Sequence, residues 1–190
     1  MDGATPRGQG SVSDYDLIDP IGANDHVLGA AHARVEVVEY GDFQCPICKL
    51  AVSPVQMLLR HFDGRVRFAY RHYPIEDAHP HALGAAEAAE CAGAQGKFWE
   101  MHQLLFDNQP HLDRTRVHRY AESLGLDMAR FKSEMDGESY RQRIREQKEV
   151  ARRSHMRATP GFFVDRKIVD VSFGYHTLFE ATEAALLKLR

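Results

Sequence analysis

The sequence contains few cysteines and lacks a second pair of closely spaced ones. Among its 190 residues there are three cysteines, of which Cys45 and Cys48 form a C-x-x-C pair while Cys91 stands alone. A four-thiolate zinc site requires two such pairs, so this sequence excludes that class of structural metal site. Redox chemistry, one half of a mixed zinc site and two inert cysteines stay open as interpretations of the pair.

The sequence also lacks a strong excess of one charge and a long apolar run. Its formal net charge is −3, from 24 basic and 27 acidic residues, which does not favour a nucleic-acid partner. No segment approaches the roughly 20 apolar residues of a membrane-spanning helix, and the first residues lack the apolar core of a signal peptide. We therefore expect no membrane insertion, and a cytoplasmic location unless a signal peptide has been removed.

The segment Cys45-Pro46-Ile47-Cys48 stands between a strand pattern and a helix pattern. The nearly continuous apolar run at 35–40 predicts a central strand covered on both faces. Residues 46–61 predict a helix whose first turn accepts Pro46. At a helix N-terminus the unpaired N–H groups and the helix dipole favour the thiolate form of the first cysteine. A thiolate attacks disulfides and the second thiol then releases the mixed disulfide, so the pattern predicts a redox pair.

The remaining patterns predict an α/β thioredoxin fold, a central mixed sheet flanked by helices, with an inserted all-helical subdomain. They are a strand at 65–73, a helical block at 78–156, a hairpin of strands 161–164 and 167–171, and a final helix at 177–189. About 80 helical residues are too many for a simple connection between strands. We predict a flexible lead-in at 1–20, a thioredoxin-like domain at 21–77 and 157–190, and the insertion at 78–156.

The chain resembles the DsbA-like thiol:disulfide oxidoreductases in several segments. Residues 39–48, EYGDFQCPIC, are similar to the active-site strand and redox motif of that family, and the similarity continues in HPHA at 79–82, QGKFW at 95–99 and ATPGFFV at 158–164. It covers about residues 20–190. The bacterial group that also occurs fused behind sodium/proton antiporters is the most similar one.

This resemblance implies roles for individual residues. Cys45 matches the exposed attacking cysteine and Cys48 the buried resolving one. Pro160, after Thr159, matches a cis-proline that leaves backbone groups free to pair with an extended substrate; an ordinary trans proline is the alternative. Pro46 and Ile47 are expected to contact substrate as well.

Glu39, six residues before Cys45, matches a buried acid that can take the proton of the resolving thiol. Its alternative is a glutamate that faces solvent beside Glu36. The dipeptide between the cysteines is Pro-Ile, whereas strongly oxidising relatives carry Pro-His, so one donor to the thiolate is missing. We expect the Cys45 pKa near the middle of the range of about 3.5 to 7.5, and the direction of electron flow stays open.

The leading hypothesis is an enzyme that exchanges disulfides with protein or low-molecular-weight thiols and with an unidentified redox partner. We predict no cofactor beyond the Cys45–Cys48 disulfide and no metal, although one of the neighbouring His72, His79 and His81 could hold zinc together with the pair. Cys91 is expected to be a core residue. The alternatives are a non-catalytic redox-sensing module and a kappa-class-like glutathione-dependent isomerase or transferase. Cys48 disfavours the latter, since proteins of that class usually have no resolving cysteine.

Overall fold

The computed structural model describes residues 18–189, which form a mixed five-stranded sheet with seven helices. The strands are β1 (His26–Gly29), β2 (Val35–Gly41), β3 (Val66–His72), β4 (Gly161–Val164) and β5 (Lys167–Val169). Their order in the sheet is β1-β3-β2-β4-β5, with β2 and β3 parallel and the other neighbours antiparallel. The thioredoxin-type sheet predicted from the sequence is confirmed.

The seven helices divide into one crossover, five inserted helices and one terminal helix. They are α1 (Pro46–His61), α2 (Ala82–Gly93), α3 (Phe98–Asp107), α4 (Arg114–Ser123), α5 (Met128–Asp136), α6 (Arg141–Arg153) and α7 (His176–Leu187). The helices α2 to α6 all lie between β3 and β4 in the chain, within the segment predicted to be helical. The division into domains at residues 77 and 157 stays a prediction.

The two faces of β2 contribute to two separate hydrophobic clusters. Val35 and Val37 join α1, α7 and most of the inserted helices in the larger cluster. Val38 and Tyr40, on the other face, pack with residues near the end of α6 and with Ile18. Burial on both faces is what the nearly continuous apolar run predicted. It also encloses Glu39, one of the two glutamates of this strand, which points to the same face as Val35 and Val37 because side chains alternate along a strand.

The structure corrects the expectation at the N-terminal side. Of the predicted lead-in at 1–20, residues 1–17 lie outside the described residues. Ile18, however, is fully buried, and its N–H donates to the carbonyl of Arg166, so the lead-in does not extend to residue 20. Strand β1 was not predicted, because its four residues at the sheet edge include only two apolar ones, Val27 and Leu28, and both are half-buried.

Other boundaries differ by a few residues. Helix α4 begins at Arg114, inside the predicted helical block, because Asp113 caps it by accepting a hydrogen bond from the N–H of Arg116. Strand β5 ends at Val169, although the pattern extended to 171, and α7 ends at Leu187. The two-residue connection of the last hairpin, Asp165-Arg166, has positive φ angles at both positions, as a tight hairpin turn requires.

Candidate active site

Cys45 and Cys48 occupy the start of α1 at the end of strand β2. Cys45 is the N-cap residue, with extended backbone angles, and Pro46 is the first residue of the helix. Cys45 is 7% exposed and Cys48 fully buried, and both are free thiols in this structure. The residue expected to be the exposed cysteine, Cys45, is thus largely covered in this structure, and Cys48 lies deeper, one turn further along the helix.

The pKa of Cys45 is lowered to about 5. The main cause is a hydrogen bond from the Cys48 side chain to the Cys45 sulfur, which outweighs the opposing effect of burial. The side chain of Thr159 and the backbone N–H groups of Cys48 and Ile47 contribute further. Donors at a helix start that point at one sulfur stabilise its anion. The value lies within the range expected from the sequence.

The pKa of Cys48 is raised well above its ordinary value. Burial is the main cause, followed by the hydrogen bond to Cys45 and the nearby charges of Glu39 and Cys45. One weak donor opposes this shift, since the backbone N–H of Asp42 lies 3.4 Å from the Cys48 sulfur. At neutral pH the reduced pair therefore holds one thiolate, on Cys45, and one thiol, on Cys48.

Glu39 lies on β2 beneath the pair, 3% exposed. Its Oε1 atom is buried and has no hydrogen-bond partner within residues 18–189. Burial, and secondarily the charge of Cys45, raise the Glu39 pKa to about 8. The alternative of a solvent-facing glutamate is wrong for this position. The partly exposed glutamate of this strand is Glu36, which pairs with Arg67.

Thr159 and Pro160 face the redox pair from the loop before β4. The peptide bond between them is cis, and the carbonyl oxygen of Thr159 lies 3.4 Å from the Cys45 sulfur. The Thr159 hydroxyl oxygen is buried and has no hydrogen-bond partner in the described chain. In the first turn of α1, Pro46 is exposed and Ile47 is 52% exposed. A backbone segment and a small apolar surface thus flank the Cys45 sulfur.

Asp42 organises the loop that leads into α1, a role that the sequence analysis missed. Its Oδ1 accepts from the N–H of Gln44 at 2.7 Å, and its Oδ2 accepts from the N–H of Ile75 at 2.7 Å. The same Oδ2 lies 2.8 Å from Nδ1 of His79. The sequence offered one signal for this role, an aspartate two residues before Gln44, where a side chain can bond backbone two positions on.

Gln109 and Tyr175 also contact the redox loop, and no sequence signal pointed to either. Gln109, after α3, donates from Nε2 to the carbonyls of Phe43 and Cys45, at 2.9 and 2.8 Å. The Tyr175 hydroxyl donates to the carbonyl of Ile47 at 3.4 Å. Burial and the nearby Glu39 raise the pKa of Tyr175 to about 12. All three hydrogen bonds join segments more than 60 residues apart in the chain.

The three histidines considered as metal ligands contact different partners in the structure. His79 contacts Asp42, whereas His72 lies 3.0 Å from Oε1 of Glu90, and the N–H of His81 donates to the side chain of Gln44. Within residues 18–189 no three histidine, cysteine or acidic side chains come together as a metal site. Cys91 is fully buried in α2, where burial and Glu134 are among the causes that raise its pKa to about 12.

The sheet, the helices inserted between β3 and β4 and the cysteine pair define the class, a DsbA-like protein with a thioredoxin fold. The family model described as thioredoxin matches residues 22–184, and the chain belongs to that family. Oxidised BdbD from Bacillus subtilis has a similar structure, with a TM-score of 0.77 and 25% identity over 86% of this chain and 93% of the other. A thioredoxin-like oxidoreductase from Silicibacter pomeroyi has the same TM-score and the same coverage at 31% identity.

The chain is also similar to one part of a larger protein. It is 42% identical over 176 residues to the Na(+)/H(+) antiporter NhaA 1 of Salinispora arenicola, which covers 92% of this chain and 27% of the antiporter. The chain thus spans about a quarter of the length of the curated relatives it matches. None of the helices within residues 18–189 has the length and apolar character needed to cross a membrane.

Proposed function

We propose that this protein is a thiol–disulfide oxidoreductase that exchanges disulfides with protein or low-molecular-weight thiols. The observation that carries the proposal is the opposite shift of the two thiol pKa values, to about 5 for Cys45 and well above the ordinary value for Cys48. Such a split leaves one reactive thiolate at neutral pH and keeps the second thiol in reserve. Two inert cysteines would not require opposite shifts of their pKa values. The similarity to a solved thioredoxin-like oxidoreductase supports the same activity.

The proposed reaction has two exchange steps. The Cys45 thiolate attacks one sulfur of a substrate disulfide, so a mixed disulfide forms and the other substrate sulfur leaves as a thiolate. Cys48 then loses its proton and attacks the Cys45 sulfur, which forms the Cys45–Cys48 disulfide and releases the second substrate sulfur. The substrate is reduced by two electrons and the pair is oxidised. Run in reverse, the same steps oxidise a dithiol substrate.

In this scheme Glu39 takes the proton of Cys48. Its charge is close enough to raise the Cys48 pKa, and its own pKa of about 8 is near neutral pH, where a group exchanges protons most effectively in both directions. In the substrate complex the backbone of Thr159 and Pro160 pairs with an extended segment beside Cys45, while Pro46 and Ile47 provide an apolar contact. The half-buried loop and the exposed Ile47 side chain support this arrangement.

Substitution of each cysteine tests the proposal. Cys45→Ser should abolish reduction of insulin disulfides by the protein, because the attacking thiolate is lost. Cys48→Ser should accumulate a mixed disulfide through Cys45, detected by mass spectrometry. Cys91→Ser, which replaces the third buried thiol, serves as the matched control and should stay active. Wild-type protein without activity in insulin reduction and in oxidative refolding would contradict the proposal and favour a redox-sensing module.

A titration of the pair against glutathione determines the direction of electron flow. The sequence has one tryptophan, Trp99, which lines the same cavity as Glu39, so its fluorescence is a suitable signal. A stabilised Cys45 thiolate favours the reduced form and makes the disulfide more oxidising. We expect the reduction potential to be higher than that of a thioredoxin, about −270 mV. The compartment and the physiological partner stay predictions.

A further inference from the structure

A cavity of about 140 Å³ lies beside Glu39, between β2, α1 and α3. Its polar lining comes from Glu39, Gln56, His102 and Gln103, and the rest of the wall is largely apolar. Glu39 and His102 are buried, whereas Gln56 and Gln103 are exposed. The cavity therefore reaches from surface side chains inward to the carboxyl group beneath the redox pair.

Two buried polar atoms at this cavity have no hydrogen-bond partner among the described residues. The Oε1 atom of Glu39 and the Nε2 atom of His102 are enclosed, and neither has a hydrogen bond to any group within residues 18–189. Buried polar groups in proteins are almost always paired, with protein or with ordered water. One water needs about 10–15 Å³ of such space and two to four polar neighbours. The cavity is large enough for several waters, and four polar side chains line it.

Aromatic rings fix the orientation of the His102 ring. The centroid of the His102 ring lies 4.7 Å from that of Tyr70, 4.9 Å from that of Phe106 and 5.2 Å from that of Trp99, and all three are edge contacts. This burial lowers the His102 pKa to about 3, with a smaller effect from His72. At neutral pH the imidazole is thus uncharged, with one nitrogen that donates and one that accepts. A neutral ring can take a proton at one nitrogen while it releases one from the other.

We infer that His102 is a relay residue that acts through Glu39, and that with water in the cavity it connects the Glu39 carboxyl group to solvent. The inference rests on the proposed function. When Cys48 attacks Cys45 of the mixed disulfide, the Cys48 proton moves to the Glu39 carboxylate, the new Cys45–Cys48 bond forms and the substrate leaves as a thiolate. Glu39 then passes this proton through the cavity to bulk water, and the reverse transfer serves the opposite reaction.

Several titratable groups surround the path from Glu39 to His102 and shift the pKa values along it. The charge of Cys45 raises the pKa of Glu39. The charge of Glu39 in turn raises the pKa values of Cys48, Tyr70 and Tyr175. The charge of His72 lowers the pKa of His102. Because the two cysteines and the two tyrosines are shared by every variant described below, a change in pH profile on substitution of His102 reports on the relay.

The test is the rate of the resolving step in His102→Gln, which keeps a polar side chain but cannot shuttle a proton. The probe is glutathione disulfide, and rapid mixing from pH 5 to 9 separates formation of the mixed disulfide from its resolution by Cys48. We expect resolution to slow about tenfold with a changed pH profile and a larger solvent deuterium effect. Attack by Cys45 on the probe should stay within about twofold of wild type. An unchanged resolution rate and pH profile in folded protein would overturn the inference.

Two further variants keep the test decisive. Val52→Leu fills part of the cavity from α1 while it leaves His102 in place, and it should slow resolution as well because water is displaced. His118→Gln is the matched control, since the Nε2 of His118 is also buried without a partner in the described chain, but its ring packs on Phe131 in the inserted helices. An equal loss in this control, or full activity in Val52→Leu, would contradict the relay. Wild-type protein that forms no mixed disulfide with the probe would instead refute the proposed function.

Discussion

Two buried glutamates in this protein have opposite properties. Glu39 on β2 and Glu90 on α2 are 3% and 2% exposed. Glu39 Oε1 has no hydrogen-bond partner in the described chain, and burial raises the pKa of that carboxyl to about 8. Glu90 Oε2 lies 3.1 Å from His26, and its Oε1 lies 3.0 Å from His72 and 3.3 Å from Arg143. Burial alone would raise the Glu90 pKa, but the hydrogen bonds and charges of His26 and His72 hold it well below its usual range.

The difference shows that burial by itself does not decide the role of a carboxyl group. Glu90 joins α2 to β1, β3 and α6 through side chains that compensate for its lost hydration, so its charge stabilises the junction between sheet and insertion. Within the described residues Glu39 Oε1 lacks such a partner, and burial brings the pKa of the carboxyl group to about 8, near neutral pH, next to the two cysteines. An uncompensated carboxyl group beside reactive sulfurs is a candidate for proton transfer.

The largest expected effect follows from Glu90→Gln. The amide can accept one of the two histidine contacts but must present a donor to the other, so the variant should lose about 3 kcal/mol of unfolding free energy, the size of one or two hydrogen bonds to a charged group. Urea unfolding of the reduced protein measures it. The exchange rate of the folded fraction should be unchanged. Because the folded pKa of Glu90 is lowered, its contribution to stability is present above pH about 4.5 and is lost as the pH falls below the ordinary glutamate range. The difference in unfolding free energy between wild type and Glu90→Gln should therefore shrink in acid.

Glu39→Gln should have the opposite pattern, slow chemistry with intact folding. Without the acceptor, the resolving step should slow about 100-fold, the lower range for general base catalysis. Glu36→Gln, on the same strand, is the control. Because the folded pKa of Glu39 is raised, wild type loses stability as the pH rises from about 4.5 to about 8, and the variant should not. Equal pH dependence of unfolding in both proteins would contradict an ionisable Glu39.

Cys91→Ala should have the smallest effect. Burial and nearby acidic groups raise the pKa of Cys91 to about 12, as burial raises that of Cys48, but Cys91 is the third, solitary cysteine. We expect the exchange rate to stay within about twofold, with a packing cost on the order of 1 kcal/mol. Loss of exchange in a folded variant would reveal a third redox group and would make a raised thiol pKa a poor guide to function.

The central strand, the crossover helix and the redox pair could be predicted because their signals are local. A continuous apolar run, a proline at a helix start and two cysteines three positions apart indicate β2, α1 and Cys45–Cys48 within 14 residues. The edge strand β1 could not be predicted, since a short, half-buried segment pairs only when β3 is already in place. The start of α4 within the predicted helical block could not be derived from apolar spacing, because it depends on the cap at Asp113.

The sequence by itself determined which groups could perform the chemistry, namely two thiols at a helix start, an acid six residues earlier and a threonine–proline pair far along the chain. Only the tertiary structure decided how those groups behave. The pKa values of Cys45, Cys48 and Glu39 depend on burial and on neighbours such as Thr159, 114 residues away from Cys45. Hydration and electrostatic energies depend on distance in space, and chain contacts formed by folding set those distances.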